Sequence, residues 1–164
     1  MMNSKIISLF FLLSTVGYAQ KSIDKVLKAL NSNSVPYISS QDLKKITEKI
    51  ILLDAREKNE FEVSHLENAI NIGFNKFDIN KIKSNITDKN QKIIVYCSIG
   101  VRSERIGEKL LKEGYTDVYN LYGGIFDWKN NGFVVINDNN VETQNIHTYS
   151  KSWSKYLIKG NKIY

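Results

Sequence analysis

Two stretches of this chain fit only as strands covered on both sides. Ile50-Ile51-Leu52-Leu53, closed by Asp54, and Lys92-Ile93-Ile94-Val95-Tyr96-Cys97 are apolar runs without alternation. Successive side chains of a strand point to opposite faces, so such a run needs an apolar partner on each face. The segments around them carry helical periodicity. Ser22 to Leu30 places Ile23, Val26, Leu27 and Leu30 on one stripe, and Ser40 can cap a helix through Asp42, Leu43, Ile46 and Ile50. Glu57 to Ser64 reads as a short helix, and Ser103 to Glu113 as a longer one closed by Gly114. Further strands are expected at Val35-Pro36-Tyr37-Ile38, as an edge, at Ala69 to Ile72 and at Asp117 to Leu121. A short helix from Ile125 to Asn131 follows Gly123-Gly124, and the Lys/Asn-rich stretch with Phe74, Phe77, Ile82 and Ile86 reads as a connection. Strands alternating with helices make this an α/β chain of three layers, α/β/α, around a mainly parallel sheet.

Residues 1–19 have the parts of an export signal. Lys5 supplies the positive end, Ile6 to Val16 the apolar run, and Gly17 and Ala19 the small residues before a cut ahead of Gln20. A spanning helix needs roughly 20 apolar residues, so this run is too short for a stable membrane anchor. The expected location is periplasmic or secreted, an oxidising compartment in which a lone thiol is either inert or kept for chemistry.

The formal charge of +6 suggests nucleic acid, but its placement argues against that partner. Lys5 contributes one unit and Lys151, Lys155, Lys159 and Lys162 four, which leaves +1 for the body from Gln20 to Glu142. The basic tail, residues 134–164, repeats Ile146, Tyr149, Trp153, Tyr156 and Leu157 at helical spacing. It reads as an amphipathic helix docked by its aromatic face, or as an arm for an anionic surface. One Cys excludes a disulfide framework and Cys-based metal clusters, and two His leave little for a metal site. No metal or cofactor is expected.

Chemistry concentrates at Cys97. It ends a buried strand at the sheet's carboxyl edge, where open α/β sheets bind ligands, and Ser98 to Arg102 leads directly into a helix. Gly100 can take a backbone conformation closed to other residues, letting the loop amides curl around sulfur. Moving a thiol from a pKa of ~8.5 to ~6.5 needs about 2.7 kcal/mol in favour of the anion. A helix end supplies only ~0.3–1 kcal/mol, so amides and Arg102 must provide the rest. No His adjoins Cys97, which favours an intrinsically acidic thiol over base activation.

Four motifs, in order, resemble those of rhodanese-like domains: Leu53-Asp54-Ala55-Arg56-Glu57 with Phe61; Ser64 to Ile72; Cys97-Ser98-Ile99-Gly100-Val101-Arg102-Ser103; and Leu121 to Trp128. The resemblance spans roughly residues 35–133, leaving the helix within residues 20–34 and the tail outside. It implies a five-stranded parallel sheet and a Cys97 that carries sulfane sulfur as a persulfide. Ser98, Ile99, Gly100, Val101 and Arg102 become the substrate cradle, with Arg102 turned to an anionic donor such as thiosulfate. Arg56, beside Asp54, matches a position near the site, as a substrate contact or equally as a structural salt bridge. His65 reads as a turn stabiliser, Trp128 as core, and Asn68, where the family usually has Gly, as a residue tolerating a left-handed backbone.

The expected function is a sulfurtransferase passing sulfur from a small anionic donor to a thiol or cyanide acceptor, including a protein thiol. The alternative is a persulfide carrier or redox-sensing, partner-binding domain without turnover. A phosphatase loop places five residues between Cys and Arg; here there are four. In the resembling family the shorter loop goes with sulfur and the longer with phosphate or arsenate. A cysteine protease lacks a free His base.

Overall fold

In the computed structural model, which describes residues 23–164, the two apolar runs lie side by side. They form β2 (Ile51–Asp54) and β4 (Ile93–Tyr96), paired in parallel from Ile51 opposite Ile93 to Asp54 opposite Tyr96. With β1 (Tyr37–Ile38), β3 (Ala69–Asn71) and β5 (Val118–Leu121) they build a five-stranded parallel sheet of order β1-β5-β4-β2-β3. Strand alternation then sorts the core. Ile94 and Tyr96 face one apolar cluster, while Ile93, Val95 and Cys97 face the other.

The first cluster is covered by α1 (helical over residues 23–30), α2 (Ser40–Lys45) and α6 (Gly124–Asn130), which contribute Ile23, Leu27, Leu43, Ile125 and Phe126. The second is covered by α4 (Ile79–Asn85) and α5 (Val101–Lys112), through Ile82, Ile106 and Leu110. A short α3 (Lys58–Val63) follows β2. The leader expected over residues 1–19 lies outside the described residues. Among those described, no helix is long and apolar enough to cross a membrane.

Local boundaries shift for identifiable reasons. Ser39, not Ser40, caps α2, its hydroxyl accepting from the Asp42 amide at 3.0 Å, and the helix stops at Lys45. The Lys/Asn-rich connection contains α4, started by Asp78, whose carboxylate accepts from the Asn80 amide at 2.9 Å. With few apolar residues on its inner side, that helix leaves little periodic signal.

The tail differs from the expected docked helix in form. It contains β6 (Val135–Ile136) paired with β7 (Glu142–Thr143), then β8 (Asn145–His147) paired in parallel with β9 (Asn161–Ile163) around a 3₁₀ turn at Ser154–Tyr156. Asn145 to Thr148 are weak helix formers, and strand pairing satisfies their backbone instead. Its apolar residues nevertheless enter the first cluster: Ile146 and Leu157 are fully buried and Tyr156 nearly so. Buried Asn130 pins this segment to α6. Its amide donates to the Tyr156 carbonyl at 2.8 Å, and its oxygen accepts from the Ile158 and Lys159 amides. Leu157→Ala should therefore destabilise the protein by about 2–5 kcal/mol in denaturant titration. Lys155→Ala, at an exposed position, should stay within about 0.5 kcal/mol; equal effects of the two would contradict docking.

Candidate active site

Cys97 follows the last residue of β4, and Val101 opens α5, so only Cys97 to Gly100 bridge strand and helix. Val101 and Arg102, expected in the loop, instead form the first turn of α5. Gly100 makes the tight passage with φ of 110°, in the region that glycine tolerates. Its amide donates to the Cys97 sulfur at 3.1 Å.

The loop carbonyls are held on the opposite side. Cys97 O accepts from the Ile125 amide at 3.0 Å, and Ser98 O from Phe126 at 3.2 Å, both at the start of α6. Gly100 O accepts from the side-chain amides of Asn120 at 2.8 Å and Asn31 at 2.9 Å. The C=O and N–H of a trans peptide point in opposite directions, so the amides of Ser98, Ile99 and Val101 turn away from these anchors. This arrangement depends on Gly124. A Cβ there would lie 2.2 Å from the Cys97 carbonyl oxygen, and no side chain allows the α6 amides so near.

Cys97 is 2% exposed. Burial alone would push its thiol up, yet the Arg102 charge, the Ser103 hydroxyl and the amides of Ser103 and Gly100 outweigh that, and its pKa falls below the ordinary thiol value. The hydroxyl is shared with a second acceptor. Ser103 has one hydroxyl proton, 2.7 Å from Asn120 Oδ1 but 3.5 Å from sulfur. The Arg102 charge is the largest of the favourable contributions.

Arg102 is itself engaged. Its guanidinium donates in a fork to both carboxylate oxygens of Glu60, at 2.7 and 2.8 Å, and to the Ser98 hydroxyl at 3.1 Å. Glu60 is 1% exposed and also accepts from the Glu57 amide at 3.0 Å. Burial raises its carboxyl, but Arg102 and then Arg56 hold the net value below the usual range. Sequence reasoning missed Glu60. The available signal was Glu57-Lys58-Asn59-Glu60, an acid three residues into a helix that reaches back to the entry amide.

Arg56 forms the buried salt bridge that was one of its two expected roles. It is wholly buried, paired through Nε and Nη2 with both oxygens of Asp54, and it donates to the Ser64 carbonyl at 2.6 Å. Burial opposes its charge, but Asp54 outweighs that and keeps it protonated. Arg56 thereby binds carbonyls within and just after α3, at Glu60 and Ser64, and so positions Glu60. His65 stabilises a turn, its Nδ1 3.0 Å from Phe61 O and its ring stacked on Phe61 at 3.8 Å. Trp128 is core, and Asn68 takes a left-handed φ of 61°.

A cavity of about 190 Å³ opens over the thiol. Cys97, Ser98, Ile99, Val101 and Arg102 line it; Gly100 lies behind the sulfur. Leu30 of α1 and Tyr149 and Trp153 of the tail complete the wall, and none of the three was expected there.

Comparison with known proteins agrees with this geometry. The family model described as Rhodanese-like domain matches residues 39–131. The chain is 39% identical over 104 residues to a tRNA uridine(34) hydroxylase of Aster yellows witches'-broom phytoplasma, covering 60% of this chain and 34% of that protein. Over 80 residues it is 31% identical to the thiosulfate sulfurtransferase GlpE of Coxiella burnetii, covering 49% of this chain and 72% of that one. The chain thus spans about a third of the hydroxylase and most of the smaller relative. Among solved structures, a rhodanese-related protein of Thermoplasma volcanium superposes with a TM-score of 0.53 at 29% identity, over 62% of this chain and 97% of its own. A thiosulfate sulfurtransferase of Pseudomonas aeruginosa shares the fold, with a TM-score of 0.61 at 16% identity, over 87% of this chain and 26% of that one.

Removing one member of the buried Asp54–Arg56 pair should be far more damaging than removing both. Arg56→Met, leaving the carboxylate unpaired, should destabilise by about 3–5 kcal/mol in urea unfolding, and Asp54→Leu with Arg56→Met should recover most of that. A loss below about 1 kcal/mol in the single variant would contradict that positioning role.

Proposed function

The chain belongs to the rhodanese-like domain family, and from that premise we propose that it is an exported sulfurtransferase working through a Cys97 persulfide. The observation that carries this reading is the Gly100 amide 3.1 Å from the sulfur, in a loop whose Cys97, Ser98 and Gly100 carbonyls are tied away. Such a cradle stabilises an anion on Cys97 and serves equally for the negatively charged persulfide that follows.

The reaction is two displacements. The Cys97 thiolate attacks the outer sulfur of thiosulfate, the donor's S–S bond breaks, and sulfite leaves with the bonding pair. Cys97 then holds a persulfide anion. A thiolate or cyanide attacks its outer sulfur, the new S–S bond breaks, and the Cys97 thiolate returns. Thiosulfate with cyanide thus gives sulfite and thiocyanate, with no external oxidant or reductant. The Arg102 charge favours the anion on Cys97 at each stage.

Thiosulfate transfer is the activity in the printed name of the Coxiella relative, of which this chain spans 72%. The tRNA uridine(34) hydroxylases extend well beyond the segment they share with this chain. The export signal in residues 1–19 supports action in a periplasmic or secreted setting, on small sulfur compounds or a protein thiol.

Intact-mass analysis after thiosulfate treatment should find one added sulfur mapped to Cys97, absent from Cys97→Ser. Added cyanide should give catalytic thiocyanate. Loading without turnover would make the chain a persulfide carrier, and wild-type transfer by Cys97→Ser would remove Cys97 from the reaction.

A further inference from the structure

The cavity over Cys97 suits donors bulkier than thiosulfate as well. Its cationic wall, Arg102, already has a bidentate partner in Glu60, and the Tyr149 ring covers the guanidinium at 5.2 Å. Apart from Cys97 and Ser98, the remaining wall is apolar: Leu30, Ile99, Val101, Tyr149 and Trp153. Three of these, Leu30, Tyr149 and Trp153, lie outside the residues that the family model matches.

Tyr149 is held there at some expense. It takes a φ of 64°, unusual for a residue with a bulky side chain, while 58% of the residue is open to solvent. Its amide donates to His147 Nδ1 at 3.1 Å, and the Ser150 amide bonds the Thr148 carbonyl at 2.7 Å, fixing the turn. Trp153 is steadied against Tyr156 with ring centroids 5.7 Å apart. A strained, exposed aromatic at the rim of a cavity is a placement that core packing does not account for.

We propose that Tyr149 and Trp153 determine donor specificity, selecting sulfane-sulfur donors with a flat, uncharged hydrocarbon body: aromatic thiosulfonates and organic persulfides. The body seats against the two rings while its outer sulfur reaches Cys97. The Cys97 thiolate bonds that sulfur, the donor S–S bond breaks, and the sulfinate or thiolate leaves with the electron pair. This rests on the sulfurtransferase reading above.

The test compares kcat/KM for benzenethiosulfonate, methanethiosulfonate and thiosulfate, with cyanide as acceptor and the full chain as enzyme. The benzene donor should exceed the methane donor by about tenfold or more in the wild type. That comparison needs no variant. Tyr149→Gly, which suits the left-handed backbone while deleting the ring, and Trp153→Leu should each reduce the benzene-to-methane ratio about tenfold, mainly through KM. Equal use of the two donors by the wild type, or variants that lower every donor in proportion, would overturn the specificity role and leave sulfur transfer standing. Failure of all three donors to load Cys97 would instead overturn the sulfurtransferase reading, and this inference with it.

Discussion

The structure depends on where three loop residues send their carbonyl groups. Cys97 and Ser98 give theirs to the first amides of α6, and Gly100 gives its own to Asn120 and Asn31. Peptide planarity turns the partner amides away from these anchors, and the Gly100 amide reaches the sulfur. The long elements serve this local arrangement. β4 sets the starting point of the loop, α5 continues it with its N-terminal end toward the thiol, and α6 approaches closely because Gly124 has no side chain.

A second layer of polar contacts supports the first. Asp54 holds Arg56, which binds carbonyls of Ser64 and, at 3.4 Å, Glu60, so α3 is braced from beneath. Glu60 then takes the Arg102 fork and the Ser98 hydroxyl. The four ionised side chains alternate in sign from the floor of the domain to the active loop. Each buried charge has a partner and further hydrogen bonds, the condition under which such groups are tolerated. Arg102 consequently acts on Cys97 as a fixed field more than as a free hand for substrate.

The sheet was legible because its central strands admit no other reading. Ile50 to Asp54 and Lys92 to Cys97 are too apolar for a one-sided strand and too short and β-branched for a buried helix. The loop was legible because Cys97, Gly100 and Arg102 fall where strand passes to helix. Glu60 was hidden, because its pairing with Arg102 between α3 and α5 is a tertiary fact without local periodicity, whereas the salt bridge of Arg56 to neighbouring Asp54 was among the expected roles. The tail misled for a similar reason. Its aromatic spacing suits a helix, but Ile146, Tyr156 and Leu157 reach the core from a strand and a 3₁₀ turn held by Asn130. Two of the cavity's aromatic walls come from that segment, so what surrounds the thiol could not be read from the catalytic motif alone.

The most direct measurement is the pH dependence of Cys97 alkylation in the folded protein. A thiol whose anion is favoured reacts at its full rate once pH exceeds its lowered pKa, and loses reactivity only as pH falls through that value. The midpoint should therefore lie clearly below the ~8.5 of a free cysteine, and Arg102→Ala should move it upward. A midpoint at or above ~8.5 in the wild type would contradict the picture of a backbone cradle holding a thiolate.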